Sequence, residues 1–215
     1  MKKGVFITLE GPDGCGKTCQ IPDLVKYLHK NGYEVVSTRE PGGTPISEQI
    51  RDVIMSMSNK GMHPRTEILL FQAARAQHVE QIIRPALADG KIVVCDRFTD
   101  STLAYQGYGH QTDLSNLRLI VDFATAKLRP DLTIYLDLDA EEGLRRRQKG
   151  GGEWNRLDDY DLDFHRRVRE GYLKLIEQDP SRWFLIDARQ SINDIQRQIR
   201  KIVLDYLNIY SEKKG

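Results

Sequence analysis

Residues 11–18 read Gly11-Pro12-Asp13-Gly14-Cys15-Gly16-Lys17-Thr18, directly behind the apolar run Val5-Phe6-Ile7-Thr8-Leu9. A G-x-x-x-x-G-K-[ST] octet between a strand and a helix leaves few folds open. Its glycines let successive backbone N–H groups turn inward onto an anion. Lys17 adds a mobile positive charge, and the Thr18 hydroxyl offers a hard oxygen to Mg²⁺. Average residue frequencies produce such an octet by accident about once in a hundred chains of this length. Its position behind the first strand makes accident rarer still. The octet is therefore expected to cradle the phosphates of a nucleoside triphosphate.

Strand-like and helix-like segments alternate along the whole chain. Strands are expected near 5–9, 34–38, 91–95, 132–136 and 183–186. Their continuous apolar character suits a parallel sheet covered on both faces. Helical patterns fill 17–30, 45–57, 65–88, 113–127, 140–148, 159–178 and 192–208. The last begins with a Ser191/Asp194 capping pair and carries Ile192, Ile195, Ile199, Ile202 and Tyr206 as an apolar stripe. Pro22 and Pro85 are expected to kink their helices. Neither a repeat nor a linker is visible. These patterns predict one α/β domain over residues 1–215, a P-loop three-layer sandwich with a parallel five-stranded sheet flanked by helices. Its site lies at the carboxyl ends of the strands.

Charge and cysteine content narrow the partners. The 32 basic and 31 acidic side chains leave a net charge of +1, so no global field draws the chain to nucleic acid or to an anionic membrane. Cys15, Cys19 and Cys95 are odd in number, with one in the loop and one in a strand, which argues for a reducing, cytoplasmic setting over a disulfide framework. Lys2-Lys3 precedes an apolar stretch that Glu10 ends too early for a secretory signal.

Several constellations point to chemistry. The third strand ends in Asp96-Arg97-Phe98. A carboxylate there needs a partner, and beside a phosphate loop Mg²⁺ is a natural one, shared with Thr18. Arg97 then enters the same crevice as a phosphate fork, although an Asp–Arg pair capping the strand is the plainer alternative. Asp13 is repelled by a triphosphate and suits a sugar hydroxyl instead; a turn preference before Gly14 would also account for it. Phe71 and Arg75 share a helix face, the ring able to stack on a base and the guanidinium to reach its carbonyl, while periodicity alone makes Phe71 core. The cluster Arg145-Arg146-Arg147-Gln148-Lys149 runs into Gly150-Gly151-Gly152 and then Glu153-Trp154-Asn155-Arg156. It reads either as a solvated helix face or as a lid over about 145–157 whose cation closes on a transferring phosphoryl group.

The segments Arg39-Glu40-Pro41-Gly42-Gly43-Thr44, Leu70-Phe71-Gln72-Ala73-Ala74-Arg75, Asp96-Arg97-Phe98-Thr99-Asp100-Ser101 and Ala104-Tyr105-Gln106-Gly107, with the octet, extend over nearly the entire chain. In them the sequence resembles the thymidylate kinase family, nucleoside monophosphate kinases that phosphorylate dTMP with ATP. The resemblance implies that Asp13 accepts from the 3′-hydroxyl, Phe71 stacks on thymine, Arg75 bonds the base carbonyl and Arg97 holds the acceptor phosphate. Tyr105 would crowd a ribose 2′-hydroxyl. It further implies acceptor contacts from Arg39, Pro41, Ser101, Thr102 and Gln106, an ATP contact from Arg145, Mg²⁺ on Thr18 and Asp96, and a homodimer. Gly14 resembles the bacterial class, whose catalytic arginine lies in the lid. That arginine's usual place falls among Gly150–Gly152, which leaves Arg147 or Lys149, with Lys17 and Arg97, as the catalytic cations. His110 stands where the family often has Arg.

A nucleotide-dependent switch remains the chief alternative from another class, or a kinase for a different (deoxy)nucleoside monophosphate. Guanine selection would want Asn-Lys-x-Asp after a strand, and the only Asn-Lys, Asn59-Lys60-Gly61-Met62, lacks the Asp. A nucleic-acid motor is poorly supported by a near-neutral chain with one loop of this kind.

Overall fold

The computed structural model describes residues 4–150 and 153–212. Five strands, β1 (Val5–Glu10), β2 (Val35–Arg39), β3 (Ile92–Asp96), β4 (Leu132–Asp137) and β5 (Trp183–Asp187), form one sheet in the order β2-β3-β1-β4-β5, every pairing parallel. Each sits within a residue or so of its expected place, because an apolar run buried on both faces has no other stable position in such a sheet. β1 pairs with β3 on one side and β4 on the other, so a crevice opens where its carboxyl end meets theirs.

Alternate strand residues feed two layers. Val5, Ile7, Leu9, Val94, Ile134 and Leu136 pack against α1 (Lys17–Lys30) and α9 (Ile192–Glu212). Phe6, Val93 and Cys95 face the opposite way, onto Val79 and Ile83. Tyr135 and Trp183 on that second face meet α6 (Leu114–Thr125) and α8 (Leu162–Gln178). The helices α2 (Pro45–Met55), α3 (Pro64–His78), α4 (Arg84–Ala88), α5 (Thr99–Thr102) and α7 (Ala140–Lys149) complete the set.

Four details differ from the sequence reading, each for a local reason. The long helix expected over 65–88 is divided by a wider π turn at Val79–Ile83, where the Arg84 N–H bonds the Val79 carbonyl; Pro85, which lacks an N–H, lies in the first turn of α4. Pro22, which the sequence pattern has interrupting its helix, lies inside an α1 that runs unbroken from Lys17 to Lys30. In α9 the buried row is Ile195, Ile199, Val203 and Leu207, while Ile192 is exposed and Ile202 and Tyr206 flank the row. The Ser191 hydroxyl does accept from the Asp194 N–H, at 3.2 Å, as a capping residue should. Finally, Thr99–Gly109 is helical, a stretch to which the sequence pattern assigns no element. Its second part, Leu103–Gly109, is a π turn closed by His110 N–H to Tyr105 O (3.1 Å), and it packs against α8.

Candidate active site

The octet wraps the start of α1. Gly16, the residue before the helix, has φ +102°, and Gly14 has φ +78°. A Cβ at Gly14 would also lie 2.2 Å from the Gly143 carbonyl of α7, so no side chain fits at position 14. Lys17 is buried, with Nζ donating to the Gly11 and Pro12 carbonyls at 3.0 Å each, and Cys15 is buried beneath the loop. Thr18, next along, is exposed.

A cavity of about 640 Å³ runs from this loop toward α3. Asp13, Gly14, Gly16, Lys17 and Thr18 line its phosphate end. Asp96, Arg97, Ser101, Thr102, Tyr105 and Gln106 follow, with Arg39, Pro41, Phe71 and Arg75 across from them and Arg147 at the rim. Lys149 and Arg145 do not line it. Lys149 is exposed, and Arg145 is paired with Glu142 at 2.6 Å, whereas the neighbouring Arg146 does reach the cavity and donates to the Ala188 carbonyl at 3.0 Å. Arg147 binds both Asp158 oxygens (3.3 and 3.1 Å) and the Glu153 carbonyl. The middle of the expected lid, Gly151 and Gly152, lies outside the described residues.

Arg97 is the node of the phosphate end. Its backbone is left-handed (φ +66°), a strained choice for a residue with a Cβ, and its N–H bonds the Leu9 carbonyl at 3.0 Å. Nη2 donates to Asp13 Oδ1 (2.8 Å) and the Tyr105 hydroxyl (3.2 Å), and Nη1 to Ser101 Oγ (3.2 Å) and the Tyr172 hydroxyl (3.3 Å). Tyr105 donates in turn to Asp13 Oδ2 at 3.0 Å. Burial resists charge on Asp13, but Arg97 and Lys17 with these hydrogen bonds outweigh it and hold the carboxyl well below its usual range.

Behind this layer Glu10, the last residue of β1, is fully buried. It accepts from the Phe98 N–H (2.7 Å), Ser101 Oγ (2.6 Å) and the Tyr172 hydroxyl (2.8 Å). Burial first, then the charge of Asp100, pushes its carboxyl up to about 7 against the pull of Arg97.

At the α3 end of the cavity, Arg75 is buried and committed to the protein. Nε donates to Glu40 Oε2 (2.6 Å), Nη1 to Gln72 Oε1 (2.9 Å) and Thr102 Oγ1 (2.8 Å), and Nη2 to the Phe98 carbonyl (3.0 Å). Of five guanidinium N–H donors, one on Nη2 is left for a ligand. Phe71 packs with Ile54 and Leu157. Arg39 is tied to Glu48 (2.8 Å) and the Pro41 carbonyl (2.8 Å).

The sequence reading passed over Arg51, Met55, Asn155 and Leu157, which all line the cavity. Arg51 on α2 faces Arg39, Asp96 and Arg97; burial and the nearby cations lower its pKa. The only signal in the sequence was a cation among the apolar residues of a short helix. Glu10 and Glu67 carried none, because their partners lie far along the chain. Among the described residues no group of three or more His, Cys, Asp or Glu side chains could hold a metal, and no helix is long and apolar enough to cross a membrane.

Comparisons with known proteins agree on one family. The family model described as "Thymidylate kinase" matches residues 9–199. The thymidylate kinase of Roseiflexus sp. (strain RS-1) is 49% identical over 214 residues, covering 94% of this chain and 95% of the relative. That of Clostridium novyi (strain NT) is 50% identical, with 93% and 98% covered. The crystal structure of thymidylate kinase from Ehrlichia chaffeensis superposes with a TM-score of 0.75 at 35% identity, covering 94% of this chain and 99% of that one.

Proposed function

Because the chain belongs to the thymidylate kinase family and so phosphorylates dTMP to dTDP with ATP, we propose how its own residues divide the work. The observation that carries the assignment is the single cavity that joins the phosphate loop, through Arg97, to Phe71 and Arg75.

The octet binds the ATP phosphates through its backbone N–H groups, and Lys17 leaves its loop carbonyls for the β/γ oxygens. Arg146, between α7 and the Ala188 carbonyl, borders the nucleotide more closely than Arg145. At the other end Phe71 stacks on thymine, and the remaining Nη2 donor of Arg75 reaches a base carbonyl. Asp13, aligned by Arg97 and Tyr105, accepts from the deoxyribose 3′-hydroxyl. Arg97, with Arg39 and Arg51, takes the acceptor phosphate. An oxygen of that phosphate attacks the γ-phosphorus in line and the bond to the β-bridging oxygen breaks. The acceptor is already an anion, so no general base is required, and positioning and charge neutralisation supply the rate. With no side chain possible at position 14, the cation for the transferring group comes from outside the loop. Arg147 at the cavity rim suits that role within a lid over about 145–157.

Mg²⁺ fits the residues present. Asp96 Oδ1 is buried without a hydrogen-bond partner, and the Thr18 hydroxyl shares its cavity. When bound, the ion offsets phosphate charge; Thr18 and Asp96 would hold it. We also infer a homodimer through α2, α3 and α6, where Ile46, Val53, Leu69, Leu119 and Phe123 are all exposed, Phe123 at 88%. Three free thiols favour the cytoplasm. A coupled ADP-release assay over dTMP, dUMP, dCMP, dGMP and AMP tests the assignment of the acceptor pocket. The assignment predicts a clear preference for dTMP, and indifference to the base would overturn it. Sedimentation of wild type and Phe123→Glu tests the dimer.

A further inference from the structure

Glu67 is a fully buried carboxylate with no part in the steps above, yet four side chains from two other parts of the chain, 106–110 and 156–160, converge on it. Oε1 accepts from Gln106 Nε2 (2.7 Å) and His110 Nε2 (3.0 Å). Oε2 accepts from the Tyr160 hydroxyl (2.8 Å) and is ion-paired with Arg156 Nη2 (2.6 Å). Burial opposes its charge, but His110, Gln106 and Arg156 together hold the carboxyl down at about 2. A carboxylate accepts only, so His110 Nε2 is the donor there.

Through its own helix, Gln106 and Arg156, Glu67 connects to three walls of the base end of the cavity. Glu67, Phe71 and Arg75 stand four residues apart on α3 and so share one face. Gln106 lines the cavity itself. Arg156 adds two anchors, its Nε to the Ile54 carbonyl (2.8 Å) and its N–H to the Met55 carbonyl (3.1 Å), and it immediately precedes Leu157. Leu157 and Met55 line the cavity beside Phe71. Three walls of the pocket are therefore set against one another through a single anionic side chain that touches none of the space a ligand would fill.

We propose that Glu67 is a positioning residue for selectivity toward the thymine 5-methyl group: it sets the spacing between Phe71, Gln106 and the Met55–Leu157 wall. This rests on the placement of the base in the acceptor pocket argued above. One methyl in an apolar pocket is worth roughly 10–200-fold in discrimination, and only where the walls close upon it. Replacing the anion by a neutral amide keeps the shape but releases Arg156 and weakens the other three contacts.

The test is the ratio of kcat/KM for dTMP to kcat/KM for dUMP, measured in wild type, Glu67→Gln, Tyr160→Phe and His110→Gln. A loss of folded enzyme scales both substrates alike and cancels in this ratio, so a merely structural role leaves it unmoved. Glu67→Gln is expected to lower the ratio by about 5–10-fold, with ATP affinity within twofold of wild type, and Tyr160→Phe and His110→Gln by smaller factors. Unchanged ratios in the variants that fold would overturn the proposal; Tyr160→Phe and His110→Gln decide the matter should Glu67→Gln not fold. A wild-type ratio near one would instead sink the placement of the base. Trp154, one residue before Asn155, gives an independent readout. In a Trp183→Phe background, which deletes a buried indole N–H that has no partner, dTMP should shift Trp154 emission in the wild type and shift it less in Glu67→Gln.

Discussion

Arg97 Nη2 donates to Asp13 Oδ1 across 2.8 Å, so the residue just past β3 clasps the residue inside the phosphate loop. Two members of opposite charge, 84 residues apart, thus share one position beside the phosphate loop. Asp13 leaves Arg97 oriented and partly neutralised. The left-handed backbone at Arg97 is the conformational cost of that placement.

Lys17→Ala should lower kcat by roughly 10² or more, the usual loss when a preorganised charge is removed from a transferring phosphoryl group. Steady-state kinetics on the folded variant is the check. Near-normal turnover would take the loop out of the chemistry.

Arg75→Ala should weaken dTMP by about 1–3 kcal/mol, as when a charged hydrogen-bond partner is deleted, and leave ATP affinity nearly unchanged. It should also lower Tm, since the buried Glu40 carboxylate would lose its guanidinium and keep the His78 imidazole (2.9 Å) as its side-chain partner. Calorimetry with each nucleotide separates the two effects. Equal losses for both would show a structural role alone.

Arg147→Ala should cut kcat by about 10²–10³ with little change in dTMP affinity, the signature of a contact made in the transition state. Lys149→Ala, outside the cavity, should change it far less. The reverse order would move the lid cation to Lys149.

Glu10 makes stability depend on pH in an unusual direction. Its folded pKa of about 7 lies above the ordinary 4.5, so the folded state holds a proton that the unfolded chain releases. Its contribution is complete below about 4.5 and is lost as pH rises through 7. Glu67 and Asp13, held low, work the other way and lose their contribution only as pH falls below the usual carboxylate range. Urea midpoints should therefore decline between pH 5 and 8, by up to about 2–3 kcal/mol in stability. Glu10→Gln should flatten that decline, and an equally steep decline in the variant would refute the assignment.

The five strands were legible because burial on both faces demands unbroken apolar runs, and the helices because their outer faces must be polar. Thr99–Gly109 was not. Its Thr, Ser, Asp, Tyr and Gly residues have modest helix propensity, and packing on α8 holds the segment instead. Octet, Asp96-Arg97 and Phe71/Arg75 could be read because their roles need fixed short spacings. Glu67 and Glu10 could not, because a lone carboxylate in a helix or strand gains its meaning from partners 39 to 162 residues away. His110, where the family often has arginine, is accounted for by Glu67 and by its ring contacts with Tyr160 and Phe164.

The π turn at Leu103–Gly109 has a consequence for how this segment can vary. At 3.6 residues per turn, positions five apart diverge by roughly 140° around a helix axis. In an i→i+5 turn they return to nearly the same side. Tyr105 and His110 are five apart, and the first reaches Asp13 while the second reaches Glu67. One surplus residue thus lets a short helix hold the phosphate loop and α3 together. Trimming it would restore a regular helix and rotate one of these contacts out of reach, so the length of this stretch is as constrained as its composition.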